Sequence, residues 1–334
     1  MRAWVLETPG PIESAPLVLR ELPDPAPGPG EIAVEVSVCG LCRTDLHVIA
    51  GELAPQRPAI VPGHQIVGRV AALGAGARRV APGARVGVAW LWRTCGACEF
   101  CARGDENLCR AARFTGWHEN GGYAERVRVP EEFAYTLPES LGDEEVAPLL
   151  CAGIIGFRAL RRSGIRAGGK LGLYGFGSSA HIALQIARHW GARVFVVTRE
   201  ASHRAFALAL GAEWAGDLGE RPPERLDASV LFAPVGWLVP PALEALAPGA
   251  TLACAGIHMS PIPALDYGAQ LFDERTLTSV TANTRGDGRE LLELAARIPL
   301  RPRTTAFEFD RANEALLSLE RGLIEGSGLL QVTR

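Results

Sequence analysis

Short runs of alternating hydrophobic and polar positions fill the first 150 residues. The stretch "EIAVEVSVCG" (31–40) alternates and ends in glycine, the pattern of a strand with one buried face. "QIVGRVAALG" (65–74) and "ARVGVAW" (84–90) are further strand-like runs, broken by Gly and Pro. "PAPGPGE" (25–31) is dense in turn residues and reads as a connector within a domain.

From about residue 153 the texture changes. Residues 170–200, "KLGLYGFGSSAHIALQIARHWGARVFVVTRE", read strand, glycine turn, helix, strand. "ASHRAFALALGAEWAG" (201–216) reads as a second amphipathic helix. "DASVLFAPVG", "PALEALAPGATLACAGI" and "RTLTSVTAN" continue the alternation of β and α. That order predicts a parallel sheet with helices on both faces. The tail adds two helices, "RGDGRELLELAARIP" and "ANEALLSLERGLI", and a final strand, "GLLQVT".

Composition narrows the class. A chain of 334 residues suits two domains better than one core. Hydrophobic residues make up 48% and charged residues 21%, as in globular proteins. The net charge of −3, with no basic stripe, argues against a nucleic-acid partner. The longest apolar runs, such as "LLCAGIIGF" (149–157), fall short of the roughly 20 residues a membrane helix needs. The opening "MRAWVLETPG" lacks the features of a secretory signal, so a cytoplasmic protein is expected. Thiols stay reduced there, and clustered cysteines then suggest metal before disulfide.

"GFGSSA" (175–180) follows a predicted strand and opens a predicted helix, fitting G-x-G-x-x-G/A. Gly175 permits the tight turn and Gly177 lets a pyrophosphate approach. Ser178, Ser179 and Ala180 open the helix whose N-terminus favours an anion. Thr198 and Arg199 end the following strand where an NAD site usually has an acid. A neutral residue followed by arginine favours the 2′-phosphate of NADP, although Glu200 comes one residue later. In the bland alternative, Arg199 stacks on adenine or faces solvent.

Two cysteine sets stand out. Cys95, Cys98, Cys101 and Cys109 occur within 15 residues. Four thiolates leave no open position, the signature of a structural zinc site. A cubane cluster uses the same ligands, but the polar loop, with no proline after the last cysteine, favours zinc. Cys42, His64 and Cys151 are far apart in sequence. Two sulfurs and an imidazole with a vacant fourth position would make an open, catalytic zinc site, formally neutral once zinc is bound.

Taken together, "CGLCRTDLHV", "VPGHQIVGRV", "CGACEFCARGDENLC", "NGGYAE" and "GFGSSA" resemble the zinc-containing medium-chain dehydrogenase/reductase family, in its alcohol dehydrogenase branch, in order and spacing along essentially the whole chain. The resemblance implies a fold of class α/β. Residues 1–152 and 281–334 would form a GroES-like β-rich catalytic domain, and residues 153–280 a Rossmann NAD(P)-binding domain. It implies two zinc ions per chain and a nicotinamide cofactor. It places the catalytic zinc on Cys42, His64 and Cys151. Asp45 would orient His64, Thr44 would take the alcohol proton, and His47 would be the outer end of that relay. Arg43 would contact the pyrophosphate, and Trp90 would narrow the pocket, unless it is simply core. Gln65 departs from the family's usual glutamate; it keeps shape and hydrogen bonding but removes a charge beside the metal.

Cys39 and Cys254 read as inert core thiols, and the remaining histidines have no partner pattern that gives them a role. The expected activity is reversible oxidation of a primary or secondary alcohol by a homodimer or homotetramer. Two alternatives are an enone or quinone reductase, which usually lacks the zinc sites, and a non-catalytic zinc- and nucleotide-binding sensor.

Overall fold

The computed structural model describes residues Met1–Thr333. It forms two compact units. The first comprises Met1–Cys151, Asn283–Arg297 and Arg301–Arg334, and the second Ala152–Ala282 with Ile298–Leu300.

The first unit is built on a seven-stranded sheet. Its spine is strand Glu31–Gly40, which pairs antiparallel with Gln65–Leu73, Arg126–Pro130 and Ser327–Gln331. The alternation in this strand predicts one solvent face, yet only Glu35 is exposed. The strand is covered on both sides, and even Glu31 is buried, accepting from Gly28 N at 3.0 Å and Arg128 Nη1 at 3.3 Å. Ile32, Val34, Val36 and Ile66 from this sheet enter one core with Ile49 of the helix Arg43–Ala50. A hairpin of Arg2–Leu6 with Leu17–Glu21 and a strand Thr304–Glu308 also form. Sequence periodicity signals neither, because their strands are only five residues long and too short to set up a clear alternation.

The second unit carries a six-stranded, all-parallel sheet. Its spatial order is Trp214–Gly216, Arg193–Val197, Lys170–Tyr174, Leu226–Leu231, Leu246–Cys254, Thr276–Ser279. The order reverses direction at Lys170–Tyr174, the doubly wound arrangement expected from the β/α alternation. One element differs from expectation. The helix over 201–216 stops at Ala209, and Trp214–Gly216 becomes the sheet's outer strand. Gly211, at φ +91°, makes the break between them.

Glycine shapes the turn between strand Lys170–Tyr174 and helix Ser178–His189. Gly175 has φ +86°, and a Cβ there would come within 2.9 Å of the Ala233 backbone. Gly177 is the N-cap of helix Ser178–His189, and a Cβ there would meet nothing within 4 Å, so its surface is open to a ligand. Among the described residues, no helix is long and apolar enough to cross a membrane.

Candidate active site

Cys42 caps the helix Arg43–Ala50. Its sulfur accepts from Thr44 N at 3.4 Å, and its own amide donates to Asp45 Oδ2 at 2.9 Å. The capping box therefore aims a sulfur and a carboxylate in fixed directions from one turn. His64 sits where the chain enters strand Gln65–Leu73, directly after Gly63 at φ +94°. Cys151 ends the first unit, after the buried turn Ala147–Leu150.

These three separate segments bring their ligand atoms within 4.8 Å of one another. The Cys42 and Cys151 sulfurs are 3.9 Å apart. Two thiolates each about 2.3 Å from a tetrahedral zinc ion would stand about 3.8 Å apart. His64 Nε2 is buried without a hydrogen-bond partner among the described residues. A buried, unpaired acceptor beside two sulfurs fits a metal ligand.

Asp45 explains the orientation of His64. The carboxylate is 1% exposed and accepts from His64 Nδ1 at 2.9 Å and Gly63 N at 3.2 Å. An ionised carboxylate only accepts, so the imidazole proton lies on Nδ1 and the Nε2 lone pair faces the sulfurs. Burial disfavours a charged imidazole, yet Asp45 and Cys42 push His64 up to about 10. So much negative potential suits a divalent cation in place of that proton. Sharing a proton with Cys151 holds the Cys42 thiol well below its ordinary range.

One member of this network reaches Asp45 from far along the chain. Tyr123 is fully buried, and its hydroxyl donates to Asp45 Oδ2 at 2.8 Å. Burial, then the charge of Asp45, raises the phenol well above its usual value, so it remains a donor. Tyr123 lies in "NGGYAE", but 78 residues separate it from Asp45, and nothing local announces the contact.

The other expected residues are placed as follows. Thr44 is buried in the first turn of the same helix, and His47 lies one turn later, paired through Nδ1 with Glu52. Gln65 is 1% exposed; its Nε2 donates to Leu41 O at 3.0 Å, and its Oε1 is buried without a partner among the described residues. Trp90 is buried, with its ring 4.8 Å from that of His64 at an interplanar angle of 68°. It also stacks on Phe114 at 5.0 Å and Trp117 at 6.1 Å, and Trp117 meets His118 edge-on. Trp90 therefore packs in the core and also stands edge-to-face against His64. Arg43 pairs with Glu320 at 3.0 Å.

The four-cysteine loop closes on itself. Sulfur pairs Cys95–Cys101, Cys98–Cys101 and Cys95–Cys109 are 3.9, 3.6 and 3.6 Å apart, the edges of one tetrahedron. Backbone amides of Ala97 and Cys98 lower the Cys95 thiol to about 6, favouring the thiolate that a metal needs. Glu106 within this loop is buried and accepts from Arg285 N at 2.6 Å and Arg285 Nη2 at 2.7 Å. It ties the loop to the start of helix Arg285–Ala295. Cys39 and Cys254 are buried among apolar side chains, and burial raises both thiols, as inert core residues require.

In the second unit, Ser178, Ser179 and Ala180 form the first turn of helix Ser178–His189. Thr198 and Arg199 follow strand Arg193–Val197, the former buried and the latter exposed.

Comparison with known proteins agrees with this geometry. Residues 28–139 match the Alcohol dehydrogenase GroES-like domain, and residues 180–297 match the Zinc-binding dehydrogenase domain. The chain is 49% identical over 337 residues to a probable alcohol dehydrogenase, AdhA, of Mycobacterium tuberculosis, covering 99% of this chain and 97% of that one. An acetophenone reductase from Geotrichum candidum in complex with NAD superposes with TM-score 0.89 at 25% identity, covering 99% and 96%. A zinc-binding dehydrogenase from Sinorhizobium meliloti bound to NADP superposes with TM-score 0.87 at 27% identity, covering 99% and 98%.

Proposed function

This chain belongs to the zinc-containing medium-chain dehydrogenase/reductase family, in its alcohol dehydrogenase branch, and from that premise we propose how its residues divide the work of reversible alcohol oxidation. Cys42, His64 and Cys151 would hold one zinc ion through three protein ligands, the set that leaves room for a substrate oxygen. Cys95, Cys98, Cys101 and Cys109 hold a second, closed zinc that stabilises the loop and takes no part in chemistry. The open-site zinc supplies a Lewis acid that makes the alcohol hydroxyl easier to deprotonate, and the nicotinamide supplies the hydride acceptor.

The protein's own groups manage geometry and the proton. Asp45 fixes the His64 tautomer and so keeps the Nε2 lone pair pointed at the metal position. Thr44 would accept the substrate hydroxyl proton at Oγ while releasing its own, and His47, one turn further along the helix, would take the released proton out to water. Trp90 narrows the space beside His64 and favours short alcohols. Gln65 keeps a neutral oxygen near the ligands, so it tunes the site without adding charge.

Gly175, Gly177, Ser178, Ser179 and Ala180 receive the cofactor pyrophosphate, with Arg43 as a further contact. Thr198 and Arg199 favour NADP over NAD. Self-association as a homodimer or homotetramer is supported by exposed Trp237, Ile257, Ile262, Tyr267 and Phe272, all within residues 237–272.

The observation that carries this reading is the convergence of Cys42, His64 and Cys151, with an otherwise unpartnered Nε2. Initial rates over a panel of alcohols and aldehydes, run separately with NAD(H) and NADP(H), test it. We expect turnover of alcohols with a higher kcat/KM for NADP. Higher efficiency with NAD would overturn the cofactor assignment, and no turnover with any alcohol would overturn the reaction.

A further inference from the structure

Beyond strand Arg193–Val197, three charged side chains and a histidine crowd one turn of chain, and their pairing bears on cofactor choice. Arg199 donates to Glu200 Oε1 from Nε at 2.7 Å, and its Nη2 lies 2.6 Å from the same oxygen. His203 Nδ1 stands 3.6 Å from Glu200 Oε2. Arg204 is spent differently: Nη1 donates to the backbone carbonyls of Thr198 at 2.9 Å and Arg199 at 2.6 Å. It pins the turn and leaves Arg199 and His203 as the cationic or hydrogen-bonding pair that faces a single carboxylate.

We infer that Glu200 is an internal counter-anion seated in a 2′-phosphate subsite made by Arg199 and His203, and that NADP binds by displacing it. The inference rests on the nucleotide-binding reading above and goes beyond it by naming what competes with the ligand.

Three physical arguments support it. First, Glu200 does not behave as a fixed structural acid. It is the N-cap residue of helix Ala201–Ala209, yet its side chain makes no capping hydrogen bond. Second, the pair is easily parted. The Arg199 side chain is 78% exposed and that of Glu200 37%, and an exposed ion pair contributes little. A phosphate carries more charge and offers three acceptor oxygens to a bidentate guanidinium, so it is the stronger partner for Arg199. Third, the site already favours an anion. Partial burial pushes the Glu200 carboxyl up, but Arg199, Glu200's own backbone amide and His203 hold it below its usual value. The Arg199 and His203 groups that stabilise this anion would also act on a phosphate in the same place.

An NAD site would use this acid differently, as the acceptor of the ribose 2′-hydroxyl. The two roles give opposite results on removing the charge. Calorimetric titration of the full-length protein with 2′,5′-ADP and with ADP separates them, and neither probe needs the zinc sites or turnover. The wild type should bind 2′,5′-ADP more tightly than ADP. Glu200→Gln should tighten 2′,5′-ADP by roughly tenfold, since a competing charge is gone, while ADP changes little. Arg199→Ala should erase the advantage of 2′,5′-ADP, and His203→Leu should reduce it several-fold. Weaker ADP binding by Glu200→Gln would overturn the inference in favour of a ribose acceptor. Equal binding of both probes, unmoved by Glu200→Gln, would overturn it while leaving the nucleotide site intact. Binding of neither probe would sink the nucleotide reading and this inference together.

Discussion

Asp45 spends all its lone pairs within the first unit. It accepts from the Cys42 and Gly63 amides, from His64 Nδ1 and from the Tyr123 hydroxyl. Two of these bonds aim metal ligands, and the Tyr123 bond holds the carboxylate itself in place. Tyr123→Phe removes one oxygen and keeps the ring packed against Gly63, so the fold should survive. The loss should appear in the metal. Outer hydrogen bonds of this kind are worth about 10–100-fold in metal affinity. Zinc release from the three-ligand site to a competing chelator should therefore be faster in Tyr123→Phe, with retention restored by no change at the four-cysteine loop. Unaltered release would mean that Asp45 needs no support from Tyr123. At this scale sequence spacing reveals the four-cysteine set, because its ligands are local. The open set, with Asp45, Thr44 and His47, became legible only through ordered motifs along the chain. Tyr123, the stack of Phe114 and Trp117 on Trp90, and the approach of His203 to Glu200 depend on side-chain directions that no linear pattern encodes.

Among the elements, helix Ser178–His189 couples a binding turn to a buried titratable group. His181 is 0% exposed, and its Nδ1 lies 3.3 Å from the carbonyl oxygen of Gly177. Burial pushes its pKa down from 6.5 to about 4, against smaller upward contributions from the Gly177 and Ser178 backbone. The sign follows directly. Between those two values the unfolded chain holds a proton that the folded chain refuses, so stability is full above pH 6.5 and falls as pH drops towards 4. The separation corresponds to roughly 3 kcal/mol across that window. Denaturant melts at pH 7.5 and pH 4.5 should show a smaller acid loss for His181→Leu than for the wild type. An equal loss in both would remove His181 as the source. The strand–turn–helix order around it was readable from periodicity and glycine. The end of the next helix was not, since "GAEWAG" continues an apolar pattern while Gly211 at φ +91° breaks the chain. The opening hairpin and strand Thr304–Glu308 carry no periodic signal because their strands are short, and the latter joins its sheet in parallel by a crossover.

At the scale of the whole molecule, the chain leaves the first unit after Cys151 and returns at Asn283. Cys151, the proposed metal ligand, therefore stands at the last residue before the excursion. Glu106 of the four-cysteine loop meets the returning segment at Arg285, within the first unit. Cys151 thus stands at one end of the excursion, and Glu106 of the four-cysteine loop holds Arg285 near the other. In the sequence, strand alternation gives way to β/α alternation from about residue 153. The pairing of Glu106 with Arg285, 179 residues apart, has no such signal.

The central claim is that Cys42, His64 and Cys151 hold a zinc ion on which alcohol oxidation depends. Its most direct test measures zinc content and alcohol oxidation together in the wild type and in Cys42→Ala. The account predicts two zinc ions per wild-type chain, one in Cys42→Ala, and a fall in kcat/KM of about a thousandfold or more. A Cys42→Ala protein that keeps both zinc ions, or loses one and still oxidises alcohols at the wild-type rate, would contradict it.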